Sequence, residues 1–114
     1  RGLTAALKAL GYYSTAKPAP CVSGQDAELP SVKSILAGEQ SSTVFKDTRK
    51  LAAQAAKMAN EMLKGGTVDT NDTTTYNNGI KVVPSFLLDM SLITKDNVQS
   101  GLVDIGSYTA DQLK

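Results

Sequence analysis

The hydrophobic pattern in the first half of the chain predicts two short strands with a helix between them. Residues 19–23 form a short apolar segment, and residues 42–46 are rich in β-branched and aromatic side chains. Pro30 lies in the first turn of the helix between them, where its missing N–H costs nothing. The apolar positions of this helix, at helical spacing, are Leu29, Val32, Ile35 and Leu36. This order predicts a βαβ unit with two parallel strands and a right-handed crossover.

Two further helices are predicted from the same kind of periodicity. One covers residues 3–10 and ends near Gly11, and a longer one covers residues 48–64 and ends at a pair of glycines. The predicted inward face of the longer helix consists of Leu51, Ala55, Met58 and Met62.

The second half of the chain gives weaker signals. Residues 77–79, Asn-Asn-Gly, predict a turn, and residues 80–88 are strand-like, with Pro84 restricting them to an edge or a crossing segment. Thr94 is positioned to cap a helix over residues 95–103.

These elements predict an α/β fold class with a parallel sheet flanked by helices. The strands are too few for a complete domain of this kind, because a parallel sheet needs helices on both faces. In addition, the first helix has no N-cap residue ahead of it. We therefore expect the chain to be part of a larger fold and the sheet to be incomplete in this chain.

Composition narrows the classes of function. The chain has a formal net charge of +1, and its 12 basic and 11 acidic residues form no concentrated patch, so we expect neither nucleic-acid binding nor membrane insertion. It has no histidine and one cysteine, Cys21, which removes the commonest general base and metal ligands. We expect no enzyme activity, no metal and no cofactor, and we expect Cys21 to be a buried apolar side chain.

Asp26 and Lys46 are the candidate ligand-binding residues. Each follows the end of one predicted strand, and the carboxyl ends of parallel strands meet at the sheet edge where α/β proteins bind ligands. A carboxylate accepts hydrogen bonds from neighbouring hydroxyls and an ammonium donates to hydroxyl or ring oxygens, as a polyol requires. The alternative is that Asp26 caps the following helix while Lys46 lies on a solvated surface.

Three other polar groups have structural explanations. Asp47 could cap the next helix or pair with Arg49, and capping is the better interpretation. Residues 69–72 resemble a cation loop only superficially, because they lack its glycine and terminal glutamate. Tyr12 and Tyr13 could stack on sugar rings, but loop packing is the better interpretation.

Six segments of the sequence resemble one family in order and spacing. They are residues 22–28 (VSGQDAE), 31–35 (SVKSI), 37–40 (AGEQ), 43–49 (TVFKDTR), 77–85 (NNGIKVVPS) and 108–114 (YTADQLK). Together they resemble the C-terminal portion of periplasmic sugar-binding proteins of ABC transporters, in the xylose-binding and multiple-monosaccharide-binding branch. The resemblance runs over essentially the whole chain.

The resemblance implies a type I periplasmic-binding-protein fold with two lobes joined by three crossings and a monosaccharide enclosed between them. It implies that Asp26 and Lys46 are ligand contacts. It also implies that residues 1–46 are a βαβ segment of the C-terminal lobe, that residues 47–80 are a hinge crossing and a helix packing on the other lobe, and that residues 81–114 are a return crossing and tail.

The resemblance implies partners and location as well. The ligand would be xylose, glucose, galactose or arabinose, and the partners would be the membrane permease and, in some relatives, a chemoreceptor or sensor kinase. The location would be the periplasm, or the cell exterior for a lipoprotein of a Gram-positive organism.

Three alternatives stay open on sequence alone. The effector-binding domain of a LacI-type repressor shares the fold, a sugar-processing enzyme is a second possibility, and a third is that this portion has no function alone because half of the binding cleft is missing.

Overall fold

The computed structural model describes residues 2–114 and divides into two compact units. The sheet unit consists of the residues up to Lys46 together with Met90–Lys114, and the helical unit is Asp47–Asp89.

The sheet unit contains the predicted βαβ arrangement. Helix α1 is Gly2–Ala9, strand β1 is Ser23–Gln25, helix α2 is Leu29–Leu36, strand β2 is Ser42–Phe45 and strand β3 is Ser91–Ile93. Strands β1 and β2 are parallel, with Ser23 opposite Ser42 and Gln25 opposite Val44, which confirms the predicted pairing. Strand β3 pairs antiparallel with β2, so the small sheet is mixed, with the order β1-β2-β3.

The core of the sheet unit lies between α2 and the segment that follows β3. Its buried members are Ala27, Val32, Ile35, Ile93, Val98 and Leu102, with Leu36, Phe45, Tyr108 and Leu113 packed against them. The apolar stripe of α2 supplies Val32 and Ile35, which are 0% and 1% exposed. The predicted orientation of α2 is therefore confirmed.

Residues 95–103 are helical, as predicted, but not as one regular α-helix. Lys95–Asn97 form a 3₁₀ turn and Gln99–Val103 form a π-helix, followed near the C-terminus by a second 3₁₀ turn at Asp111–Leu113. Close packing constrains this region, since a Cβ at Gly101 would lie 2.7 Å from Ile93 Cδ1. Gly101, inside the π-helix, therefore lies against Ile93 of β3, where a larger residue would not fit.

Strand β1 begins later than the sequence predicted. Residues 19–22 are irregular, and the ladder with β2 starts at Ser23, next to a hydrogen bond from Ser41 N–H to Val22 O at 2.8 Å. Cys21 is exposed, so the prediction that it is buried is wrong. Its neighbour Val22 is buried at 6% exposure, so the chain buries Val22 and leaves Cys21 in solvent.

The helical unit consists of helix α3, Thr48–Leu63, and a long irregular segment. The predicted turn is present: Gly79 has a φ of 89°, and its N–H donates to Asn77 Oδ1 at 2.8 Å. The predicted strand over residues 80–88 is wrong, because this segment makes only isolated bridges, from Ser85 to Asp72 and from Val82 to Asn77. Pro84 has no N–H to extend a ladder between them.

The predicted inward face of α3 is exposed in this chain, and its packing on the other lobe stays a prediction. No residue of α3 is buried, and Leu51 and Met62 are 58% and 67% exposed. Helical periodicity identifies an apolar face, but burial needs a surface that covers it.

Across residues 2–114, no helix combines the length and the apolar character that a membrane crossing requires.

Candidate functional site

The turn after β1 and the residue after β2 bring Asp26 and Lys46 together. Lys46 Nζ lies 2.8 Å from Asp26 Oδ1, at the edge of the sheet where both parallel strands end. The sequence predicted this placement from the parallel pairing. Their role as ligand contacts stays a prediction.

The ion pair is open to solvent. The side chains of Lys46 and Asp26 are 43% and 58% exposed, and an exposed pair of this kind adds only about 0–1 kcal/mol to stability. The pair can still bind polar ligands, since Asp26 keeps acceptor capacity and the Lys46 ammonium keeps two further N–H donors. The pair therefore adds little to the stability of the fold, but its acceptor and donors have the chemistry to hydrogen-bond two neighbouring hydroxyl groups.

The backbone at Asp26 is unusual. Asp26 and Ala27 have φ values of 73° and 49°, and both residues are therefore in the left-handed region that side-chain-bearing residues rarely adopt. The N-cap of α2 is Glu28, with no side-chain capping hydrogen bond, so the alternative that Asp26 caps this helix is wrong. The left-handed turn directs the carboxylate to Lys46 instead.

Hydrogen bonds from β2 and from the C-terminal segment hold this turn. Asp26 N–H donates to Val44 O at 2.7 Å, and Ala27 N–H donates to the hydroxyl of the buried Thr43 at 3.2 Å. Tyr108 OH donates to Ala27 O at 2.9 Å across 81 positions of sequence. Sequence reasoning missed Thr43 and Tyr108. The role of Thr43 could have been suspected, because a polar residue inside a predicted parallel strand needs a hydrogen-bond partner. Nothing in the local sequence indicates that Tyr108 contacts this turn.

The other polar candidates have structural roles. Asp47 caps α3, accepting from Arg49 N–H at 3.0 Å, and it also pairs with the Arg49 guanidinium at 2.9 Å. The hydrogen bond from the Arg49 side chain lowers the pKa of Asp47 below its usual value. Both alternatives for Asp47 are therefore present together.

Asp72 forms a local turn, accepting from the N–H groups of Thr74 and Thr75 at 2.9 Å each. Hydrogen bonds from Thr75 and Thr74 lower its pKa. Within residues 2–114, no three carboxylate or thiol side chains are grouped as metal ligands would be.

Both tyrosines of the loop after α1 contact other parts of the sheet unit. Tyr13 OH donates to Glu39 O at 2.9 Å, and Lys17 Nζ lies 5.5 Å from the centre of the Tyr12 ring. These contacts match the loop-packing interpretation.

A pocket of about 230 Å³ lies beside β1, between α1 and the start of α2. Ser23, Gly24 and Gln25 line it, but Asp26 and Lys46 do not. The ion pair stands on an open edge and not inside a closed cavity of the sheet unit.

Comparisons with known proteins identify relatives that match almost the whole chain. No family model matches the sequence. The chain is 51% identical over 113 residues to the multiple sugar-binding periplasmic receptor ChvE of Rhizobium radiobacter, covering 99% of this chain and 32% of the receptor. It is 53% identical over 113 residues to the multiple sugar-binding periplasmic protein SbpA of Azospirillum brasilense, covering 99% of this chain and 31% of that protein.

A solved structure gives the same result. The ABC transporter solute-binding protein of Clostridium phytofermentans, with bound β-D-glucose, superposes with a TM-score of 0.88 and 44% identity, covering 99% of this chain and 34% of that chain. The chain thus spans about a third of the length of the relatives it matches. It belongs to the periplasmic sugar-binding proteins of ABC transporters, whose type I fold it shares, and corresponds to their C-terminal portion.

Proposed function

We propose that this chain is part of the substrate-binding component of an ABC sugar-import system. It binds a monosaccharide, which is xylose, glucose, galactose or arabinose, between two lobes that close about a hinge. Asp26 and Lys46 are its ligand contacts from this portion of the protein.

The observation that carries the proposal is the ion pair at the carboxyl ends of two parallel strands. Its 2.8 Å separation places one acceptor and one donor within reach of adjacent hydroxyl groups of a single sugar ring. Each sugar hydroxyl that is buried without a partner costs about 1–3 kcal/mol, so a closed cleft needs such groups. The glucose-bound relative supports the ligand class.

The open sheet edge fits binding by closure. With only one lobe engaged, the sugar hydrogen-bonds to Asp26 and Lys46 in competition with water, and binding is weak. Closure of the second lobe adds further hydrogen bonds and excludes water. The sugar shifts the equilibrium toward the closed form because it contacts both lobes only there.

The partner of the closed form is a membrane permease, and the location is the periplasm, as for the periplasmic relatives. Docking to a chemoreceptor or sensor kinase, or attachment as an extracellular lipoprotein, are finer possibilities within the same function. These relatives are sugar-binding periplasmic proteins and an ABC transporter solute-binding protein, and they do not favour the repressor alternative.

Isothermal titration calorimetry of the full-length protein with the four sugars tests the proposal. We expect Asp26→Ala to weaken binding of the preferred sugar at least about tenfold, because a buried hydroxyl loses its charged acceptor. Asp69→Ala is the matched control, since it breaks another exposed ion pair, with Lys57 Nζ 2.7 Å from Asp69 Oδ2. This control should leave the affinity unchanged.

The outcomes separate the function from the site. If the unsubstituted protein binds none of the four sugars, the proposed function is wrong. If it binds one of them and Asp26→Ala behaves like Asp69→Ala, the function stands and Asp26 is not in the site.

A further inference from the structure

The turn that presents Asp26 is in a conformation that its own residues disfavour. Asp26 and Ala27 are consecutive left-handed residues, with φ values of 73° and 49°. Aspartate tolerates this region because its short polar side chain can bond locally, but alanine does not. Such a conformation persists only where the surroundings impose it.

Ala27 is held on three sides by other parts of the sheet unit. Its N–H donates to the Thr43 hydroxyl at 3.2 Å, its carbonyl accepts from Tyr108 OH at 2.9 Å, and its side chain is 1% exposed within the core. Thr43 itself is 0% exposed. Both polar groups of this residue are thus satisfied by side chains from distant segments, β2 and the C-terminal segment.

We propose that Thr43 and Tyr108 are positioning residues that set sugar affinity by holding the Asp26–Ala27 turn in its left-handed form. This inference rests on the proposed function. The buried Thr43 hydroxyl and the Tyr108 hydroxyl are engaged by the backbone of Ala27, and they act on the ligand through Asp26.

The two hydroxyl groups would affect sugar affinity by changing the fraction of molecules in which the turn is left-handed. When one hydrogen bond to Ala27 is removed, its backbone can return to the favoured right-handed region, which rotates the Asp26 carboxylate away from Lys46. Only the fraction of molecules with the left-handed turn then binds the sugar well, and the apparent Kd rises as this fraction falls.

Two variants remove one hydroxyl each while keeping the shape of the side chain. We expect Tyr108→Phe and Thr43→Val, in the full-length protein, to raise the calorimetric Kd for the preferred sugar between about threefold and tenfold. The matched control is Tyr13→Phe, which removes the same type of bond, from a tyrosine hydroxyl to Glu39 O at 2.9 Å, elsewhere in the sheet unit. It should leave the Kd unchanged.

A conservative substitution separates positioning from general destabilisation. Thr43→Ser keeps the hydroxyl but loses a buried methyl group, so both Thr43→Ser and Thr43→Val should lower Tm. Only Thr43→Val should weaken sugar binding. Equal Kd values for the two variants would overturn the role of Thr43.

Amide hydrogen exchange of the sugar-free protein gives a readout that does not depend on binding. Tyr108→Phe should speed exchange of Ala27 N–H, which is bonded to Thr43 and not to Tyr108, because release of the carbonyl loosens the whole turn. Unchanged exchange would contradict the proposed linkage.

The outcomes remain distinguishable from those of the proposed function. If the unsubstituted protein binds no monosaccharide, both inferences fail together. If it binds one and Asp26→Ala weakens binding, while Tyr108→Phe and Thr43→Val match Tyr13→Phe, only the positioning role is wrong.

Discussion

The two units of the chain are stabilised in different ways. The sheet unit buries seven hydrophobic residues, and Tyr108 and Ala27 join its tail to a loop across 81 positions of sequence. Within residues 47–89, all of which the structure describes, no residue is buried. The helical unit is held by local contacts such as the Asp47 cap and the pairing of Lys57 with Asp69.

This difference shows that an apolar pattern and a packed core are separate properties. Helices α2 and α3 both carry apolar residues at helical spacing, but α2 contributes Val32 and Ile35 to a core within its own unit, whereas no residue of α3 is buried. In the helical unit the large apolar side chains stay exposed, up to 88% for Leu63 and 91% for Ile80. The candidate site is built on the unit that has its own core, which keeps Asp26 and Lys46 in place.

The largest effect should come from truncating the core of the sheet unit. Leu102 is 0% exposed and Leu63 is 88% exposed, although both lie in helical segments. We expect Leu102→Ala to lower the free energy of unfolding of the 114-residue chain by about 2–5 kcal/mol and Leu63→Ala to change it by less than about 0.5 kcal/mol. Urea unfolding followed by circular dichroism measures both. If both variants lost a similar amount of unfolding free energy, the conclusion that only the sheet unit has a packed core would be wrong.

The apolar face of α3 gives a sharper test in two forms of the protein. Leu51 is 58% exposed in this chain, so Leu51→Ala should cost less than about 0.5 kcal/mol here. If residues 47–80 pack on the other lobe, the same substitution in the full-length protein should cost about 2 kcal/mol or more, because the side chain then leaves a cavity. A small cost in both forms would contradict the predicted packing.

The smallest effect concerns the cap of α3 and its dependence on pH. The Arg49 side chain lowers the pKa of Asp47, so the charged cap stabilises the helix above the usual carboxyl pKa and is lost as pH falls through the lowered value. Between about pH 5 and pH 2 we expect helicity to fall, and we expect Asp47→Ala to remove part of that dependence and lower Tm by a few degrees. Circular dichroism across this range measures the change. Asp89→Ala, an exposed carboxylate of the same unit, should keep the full pH dependence.

The sequence predicted which two residues lie together in the candidate site, but not the hydrogen bonds that hold the turn carrying Asp26. Parallel pairing of two strands was enough to place Asp26 and Lys46 side by side, since the geometry of a βαβ unit is nearly fixed. The left-handed turn was not predictable, because Asp26 and Ala27 are not glycines and Ala27 hydrogen-bonds to the distant side chains of Thr43 and Tyr108. A contact between residues 81 positions apart leaves no trace in local periodicity.

The misplaced elements have a related cause. The local sequence pattern shows whether a segment is able to form a strand. Whether the strand forms depends on a neighbouring segment that pairs with it. Residues 80–88 have strand-forming composition but no continuous partner, and Ser91–Ile93 have little signal of their own but pair with β2. Within one apolar stretch, Val22 is buried and Cys21 is exposed, which the apolar character of the segment alone does not distinguish.

The positive φ of Asp26 changes which replacements count as conservative at this position. Glutamate keeps the negative charge, but its longer side chain has no local bonding that would offset a φ of 73°. Asparagine loses the charge but is among the residues that adopt this region most readily. A sequence comparison that groups aspartate with glutamate by charge would therefore misjudge position 26, where the shape of the main chain selects aspartate and asparagine together.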